Sequence, residues 1–265
     1  MAPVIGIVSG KGGVGKSTVA INVATAASAA GARVLLIDGD LGLANADLLM
    51  GMIPSCDLED FCEGRVRLSE TVCRGSSGLQ VVISGTGRRV ANRIREAIEG
   101  THDGELRDLI DAQDLTILDL GAGIGDRVLG LASACDLVWL VVTPEPTSLA
   151  DAYATAKKLW HGSPKQRIEL VINRVRDIAT GRRTHQALGR LVQRFLSRAL
   201  PLRAVLPEDA AMVRSVAKQS PLVLEEPTSP AARRLRLLAE SLLDERSMKP
   251  PLRKTPGSIS APFAG

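Results

Sequence analysis

The sequence predicts a single doubly wound α/β domain, a mostly parallel sheet flanked by helices on both faces. Short, near-continuous Val/Ile/Leu runs alternate with longer segments of helical period, which is how strands buried on both faces and their crossover helices read. A glycine-rich loop stands between the first such run and the first helix. Composition agrees: of 265 residues, 45% are hydrophobic and 23% charged, with a mean hydropathy of +0.11. That balance excludes wholesale disorder, a collagen-like chain and a membrane-embedded channel.

In chain order, Val4–Ser9 reads as the first strand and Ser17–Ala30 as the first helix. Strands follow at Arg33–Asp38 and Leu79–Ser84, then a helix at Val90–Glu99. Leu115–Leu120 and Leu137–Thr143 are strands, and Thr147–Trp160 is the helix after them. A strand at Glu169–Asn173, a helix at Thr184–Ala199 and a strand at Leu202–Leu206 complete the alternation. Pro230–Arg246 is expected as a terminal helix, with Ser229 as cap and Pro230 in its first position. Residues 247–265 are rich in Pro, Gly and Ser, lack periodicity and read as a disordered tail, leaving 1–246 as the folded domain.

Several function classes recede at once. With 2% aromatic residues, a base-stacking surface for single strands is not expected. Cys56, Cys62, Cys73 and Cys135 form no C-x-x-C pair, so half-buried thiols are expected rather than a zinc or iron–sulfur site. The N-terminus has no basic region or cleavage site, and no apolar run reaches spanning length, so a cytosolic, reduced protein is expected. Charge is unevenly placed: residues 1–160 carry 14 basic and 20 acidic side chains, and residues 161–265 carry 19 and 9. The basic part suits nucleic acid, anionic lipid, an acidic partner or plain solvent.

Residues 10–18 read GKGGVGKST and fit G-x-x-x-x-G-K-[ST], directly after a strand and opening a helix. Glycines let backbone N–H groups turn inward around phosphates, and the helix presents its positive end to the same anion. Gly12, Gly13, Val14, Gly15 and Thr18 belong to this cradle. Lys16 would neutralise the terminal phosphate oxygens and Ser17 would bind Mg²⁺. Residues 116–119, TILD, describe the apolar strand ending in an aspartate that holds such a metal, so Asp119 is the second metal candidate. The glycines after it, GAGIG, would form a loop responsive to the γ-phosphate.

Lys11 is not required by the general motif. With it, the loop KGGVGKS resembles that of the deviant Walker-A ATPases, the MinD/ParA group of P-loop NTPases. The resemblance covers residues 2–246 and implies an ATP-hydrolysing domain using ATP/ADP and Mg²⁺. It also implies that Lys11 reaches across an ATP-dependent homodimer to the partner's nucleotide. Residues 38–47, DGDLGLANAD, resemble the group's first switch; this assigns Asp40 to positioning the attacking water, and it sets Asp38 and Asp40 with Ser17 and Asp119 around the metal, Asp38 supporting its shell. For Asp38, a plain role in capping the next helix stays open. Asn173, Arg174 and Pro207 match positions where the group reads adenine, although Asn and Pro at strand ends are also ordinary turn chemistry.

Residues 38–51, 78–87, 143–154 and 220–235 are most similar to the flagellar-number regulators of the FlhG (FleN) branch. This implies control of flagellar number and placement, with partners in the flagellar or division-placement machinery and recruitment to the cell pole or the inner membrane face. The chain starts at its first strand, without the extension by which many FlhG proteins stimulate the GTPase FlhF, so the resemblance does not carry that stimulation over. The prolines of the tail interrupt any membrane-targeting helix, so membrane binding is expected to be weak or absent. A ParA-type DNA-partitioning factor and a MinD-like division-site ATPase are the alternatives. Metal-cluster carriage lacks its cysteines, and a GTPase lacks the carboxylate after Asn173 that would pair with guanine.

One helical wheel adds a feature. In Thr184–Ala199, Leu188, Leu191, Val192, Phe195 and Leu196 fall on one side. Arg183, Arg190, Arg194 and Arg198 gather opposite, as a solvated face or as a contact for DNA phosphates or an acidic partner.

Overall fold

The computed structural model describes residues 2–40, 45–85, 87–101 and 104–248. The expectations for the middle of the first switch, residues 41–44, and for the tail, residues 249–265, lie outside the described residues. β1 (Val4–Ser9) leads through the phosphate loop into α1 (Lys16–Ala29), and β2 (Val34–Gly39) follows. Three short helices, α2 (Ala46–Met50), α3 (Leu58–Cys62) and α4 (Leu68–Thr71), precede β3 (Val72–Arg74) and β4 (Gln80–Ile83). Next come α5 (Arg88–Glu99), α6 (Glu105–Asp111), β5 (Leu115–Ala122), α7 (Asp126–Ala134) and β6 (Leu137–Val142). The chain continues with α8 (Pro146–Gly162), β7 (Ile168–Val175), α9 (Ile178–Leu196) and β8 (Leu202–Pro207). It ends in α10 (Ala210–Ala217), α11 (Leu222–Glu225) and α12 (Pro230–Met248).

The eight strands form one sheet in the order β3-β4-β2-β5-β1-β6-β7-β8, parallel throughout except for the β3–β4 edge pair. Alternate residues of each central strand enter two cores. In β1, Val4 and Val8 join the side covered by α5, α7, α8 and α9, whereas Ile5 and Ile7 join the side covered by α1 and α12. Burial on both faces explains the unbroken apolar runs. Connections diverge to either side of β1, so the crevice for a ligand opens at the carboxyl ends of β1, β2 and β5.

The seven expected strands and five expected helices are present, with ends shifted by a few residues. β3 was not foreseen, because three residues at a half-buried edge carry no readable period. α9 starts six residues before the expected position, since Asp177 accepts the Thr180 N–H at 2.6 Å and caps it. Its apolar side is only partly buried. Leu188 and Val192 are buried, but Leu191 is 37% and Phe195 60% exposed, because the buried side of the helix is a narrow stripe of Gly181, Thr184, Leu188 and Val192. In α12, Ala231, Leu235, Leu238 and Leu242 all face the core against α1, and Ser229 caps the helix by accepting the Ala232 N–H. No helix of the described residues is long and apolar enough to cross a membrane.

Candidate functional site: a phosphate loop and its carboxylates

The loop between β1 and α1 is held by two close approaches. A Cβ on Gly10 would come within 2.5 Å of the Asp151 carbonyl, so the loop begins pressed onto the α8 backbone. Gly15 sits at φ 88°, and a Cβ there would run into the Asn173 carboxamide. Asn173 itself donates from Nδ2 to the Val14 carbonyl at 2.8 Å. The side chain of Thr18 donates to the Gly15 carbonyl at 2.7 Å. α1 has neither a side-chain cap nor an acidic residue in its first turn, so its leading amides and its positive end are available to an anion. Gly12 and Gly13 are exposed at the mouth, while Val14 is buried beneath it.

Lys16 is buried, with Nζ 2.7 Å from Asp119 Oδ1 and 3.3 Å from Ser17 Oγ. Asp119 lies directly opposite Asp38 across the β5–β2 pair. Burial pushes the Asp119 carboxyl above its usual range, opposed by the charge and hydrogen bond of Lys16 and by the Ser17 hydroxyl. Burial likewise pushes Asp38 up to about 6, with the nearby Asp119 charge adding to the effect. Asp38 is engaged by backbone amides: Oδ1 accepts from Asp40 at 3.1 Å, and Oδ2 from Asn45 and Ala46 at 2.9 Å each. Its part is thus that of a staple across the switch loop, joining residue 40 to the start of α2. Asp40 lies over the backbone of Gly121, where a Cβ would stand 3.0 Å from its Oδ1.

Asp119 is thus paired with Lys16 and neighboured by the charges of Asp38 and Asp40, and its Oδ2 is buried without a hydrogen-bond partner. An orphaned carboxylate oxygen in an acidic crevice fits a cation or its hydration shell. Among the described residues no three of His, Cys, Asp and Glu converge on one point. That pattern suits Mg²⁺, which keeps waters and phosphate oxygens as ligands, better than a cation held by a carboxylate cage.

At the rim, Lys11 is 38% exposed and its Nζ meets Glu145 Oε2 at 2.6 Å and Thr147 Oγ1 at 3.2 Å, at the start of α8. The hydrogen bond and charge of Lys11 hold the Glu145 carboxyl below its usual range. Arg174, expected beside Asn173 on the base, is exposed in a left-handed conformation at φ 55°, and its charge also acts on Glu145. It belongs to the rim. Pro207 pairs with Val175 at the end of β8, close to Asn173 in the neighbouring strand. The loop after β5 is tied in twice: Gly123 N–H donates to the Ser9 carbonyl at 2.8 Å and Lys158 Nζ reaches the Ile124 carbonyl at 3.4 Å.

Three residues escaped sequence reasoning. Glu145 and Thr147 hold Lys11 from 134 and 136 positions away, a contact with no local signature. Asn22 is buried on α1, donating to the Thr18 carbonyl and accepting the Val223 N–H at 3.0 Å, so the phosphate-loop helix is tied to α11. A polar residue inside the apolar run of α1 was the available signal.

The CobQ/CobB/MinD/ParA nucleotide binding domain family matches residues 5–222. The antiactivator FleN of Pseudomonas aeruginosa is 35% identical over 239 residues, covering 90% of this chain and 85% of that protein. The flagellum site-determining protein YlxH of Helicobacter pylori is 33% identical over 186 residues, covering 69% of this chain and 62% of that protein. The septum site-determining protein MinD of Pyrococcus horikoshii, solved in complex with Mg-ADP, superposes with a TM-score of 0.74 at 25% identity, covering 95% of this chain and 100% of that one.

Proposed function

The chain belongs to the CobQ/CobB/MinD/ParA nucleotide-binding family, and from that membership we propose an ATP-dependent, dimerising switch that sets the number and placement of flagella. It is a MinD/ParA-type ATPase that uses ATP and Mg²⁺. The observation that carries the switch reading is Lys11: exposed at the rim, held only by surface side chains, and spare to a phosphate site already served by Lys16. A lysine in that position suits a nucleotide bound by a second copy.

The division of labour proposed for the site follows the contacts. The loop amides of 12–17 and Lys16 bind the β- and γ-phosphates. Mg²⁺ would be held by Ser17 and, through water, by Asp119, and it would neutralise charge developing on the phosphates. Asp40 orients the attacking water, and Asp38 holds Asp40 in place through its backbone amide. Asn173 and the segment at Pro207 flank the base, with Asn173 also bracing the loop. Residues 1–246 act as the ATPase domain; the protein works in the cytoplasm, recruited to the pole or inner membrane face through partners, with weak or no membrane affinity of its own.

The test uses Asp40→Ala, which should bind ATP, hydrolyse it at least about 100-fold more slowly and persist as a dimer. Lys11→Ala in the same background should return it to a monomer by light scattering. Capture of flagellar components from host lysate with ATP, and not with ADP, supports the flagellar reading. Capture of a division inhibitor or of nuclease-sensitive DNA instead replaces it with the MinD-like or the ParA-like reading.

A further inference from the structure

α9 holds Arg182, Arg183, Arg190 and Arg194 and no Asp or Glu from Ile178 to Leu196. Residues 152–200 contain 11 Lys and Arg against two acidic residues. Both acids are committed: Asp177 caps α9, and Glu169 lies between Arg167 and Arg203 at 3.6 and 3.8 Å. Among the described residues no ion pair engages Arg190, Arg194 or Arg198.

Within this basic field two apolar side chains stand out in solvent. Phe195 is 60% exposed and Leu191, one turn earlier, 37%. The Arg194 guanidinium lies 5.3 Å from the Phe195 ring centre, and Arg198 lies 5.3 Å from that of Trp160, which carries the row onto α8. Arg190, Arg194, Leu191 and Phe195 thus form two adjacent rows along one side of the helix. Phosphate contacts need charge alone. An exposed phenyl ring with a leucine beside it, flanked by unpaired guanidiniums, has instead the make-up of the central patch of a protein interface, where arginine and aromatic residues dominate.

We propose that Leu191, Phe195, Arg190, Arg194 and Arg198 form a docking site for a partner protein segment that carries carboxylates around an apolar side chain. The proposal rests on the switch reading only in requiring that a partner exists. α9 starts at the carboxyl end of β7, by the nucleotide site, and this patch lies about 20–25 Å further along it. Docking here therefore leaves the phosphate loop uncovered.

The experiment places a photo-crosslinker in the full chain, Phe195→p-benzoyl-L-phenylalanine, irradiates host cells and sequences the attached peptides. The expected adduct is a segment of another protein with Asp or Glu on both sides of an apolar residue. Adding Arg190→Glu and Arg194→Glu should reduce that adduct at least about 10-fold while ATP turnover stays unchanged. Adducts to nucleic acid, to lipid, to a second copy of this chain or to a neutral or basic segment overturn the proposal. So does the absence of any adduct, or an adduct indifferent to the two charge reversals. ATP-dependent dimerisation measured on the same protein separates the outcomes: its loss sinks the switch reading and leaves the docking result standing.

Discussion

Among the described residues Asp119 is the one carboxylate partner of Lys16, and both side chains are buried. Removing one member of such a pair strands a charge, whereas removing both does not. Lys16→Met should therefore lower the unfolding free energy by about 3 kcal/mol, and Lys16→Met with Asp119→Leu should recover most of it. Urea denaturation in EDTA decides; equal loss in both variants contradicts the argument. Asp38 makes a second prediction. Its folded pKa of about 6 lies above the ordinary 3.8, so the folded protein binds the extra proton between these values. Stability from this group is full below about pH 4 and is lost as pH rises through about 6, a decline of about 3 kcal/mol in metal-free protein. Asp38→Asn should flatten that slope, and an unchanged slope would acquit Asp38. The identity of these residues was legible in the sequence, because each aspartate ends or follows an apolar strand. Their separate duties were not. The amides of residues 40, 45 and 46 converge on Asp38 through a loop path that no periodicity encodes.

Elements were legible in proportion to their length and burial. The parallel strands announce themselves because both faces are dry, α5, α8 and α12 because their apolar residues recur at helical spacing, and α1, buried almost all round, because the phosphate motif opens it. α10 and α11, with eight and four residues, and edge strand β3 lie below what such patterns resolve. The wheel for α9 grouped Leu191 and Phe195 with Leu188 and Val192, but only the latter two are buried, since a wheel records direction and not how wide a stripe the neighbouring elements cover. Packing between elements gives two predictions. On Gly181 a Cβ would strike Val205, so α9 lies unusually close to β8 at this point. Gly181→Ala should cost about 1–3 kcal/mol by thermal unfolding, and a neutral result would mean the helix can slide. Asn22→Ala leaves the buried Val223 N–H without its acceptor and should cost about 1–3 kcal/mol, with no loss if water replaces it.

Across the whole molecule, the phosphate loop and α8 are mechanically one unit: Gly10 rests on Asp151, Lys11 grips Glu145 and Thr147, and Lys158 reaches the loop after β5. If Lys11 must leave Glu145 to reach a second copy, Glu145→Ala removes an exposed ion pair that competes with assembly. The ATP-bound dimer should then tighten by a factor of about 2–5 in sedimentation equilibrium, and a weaker dimer would place Glu145 in the interface instead. The architecture also orders events in time. β1 is synthesised first yet pairs with β5, where Val4 meets Thr116, and with β6, while α1 is covered by Leu235, Leu238 and Leu242 of α12. On the ribosome the nucleotide motif emerges before the strands and the helix that come to surround it. Chains cut short by stalled translation or proteolysis before α12 carry the motif with α1 left uncovered by Leu235, Leu238 and Leu242.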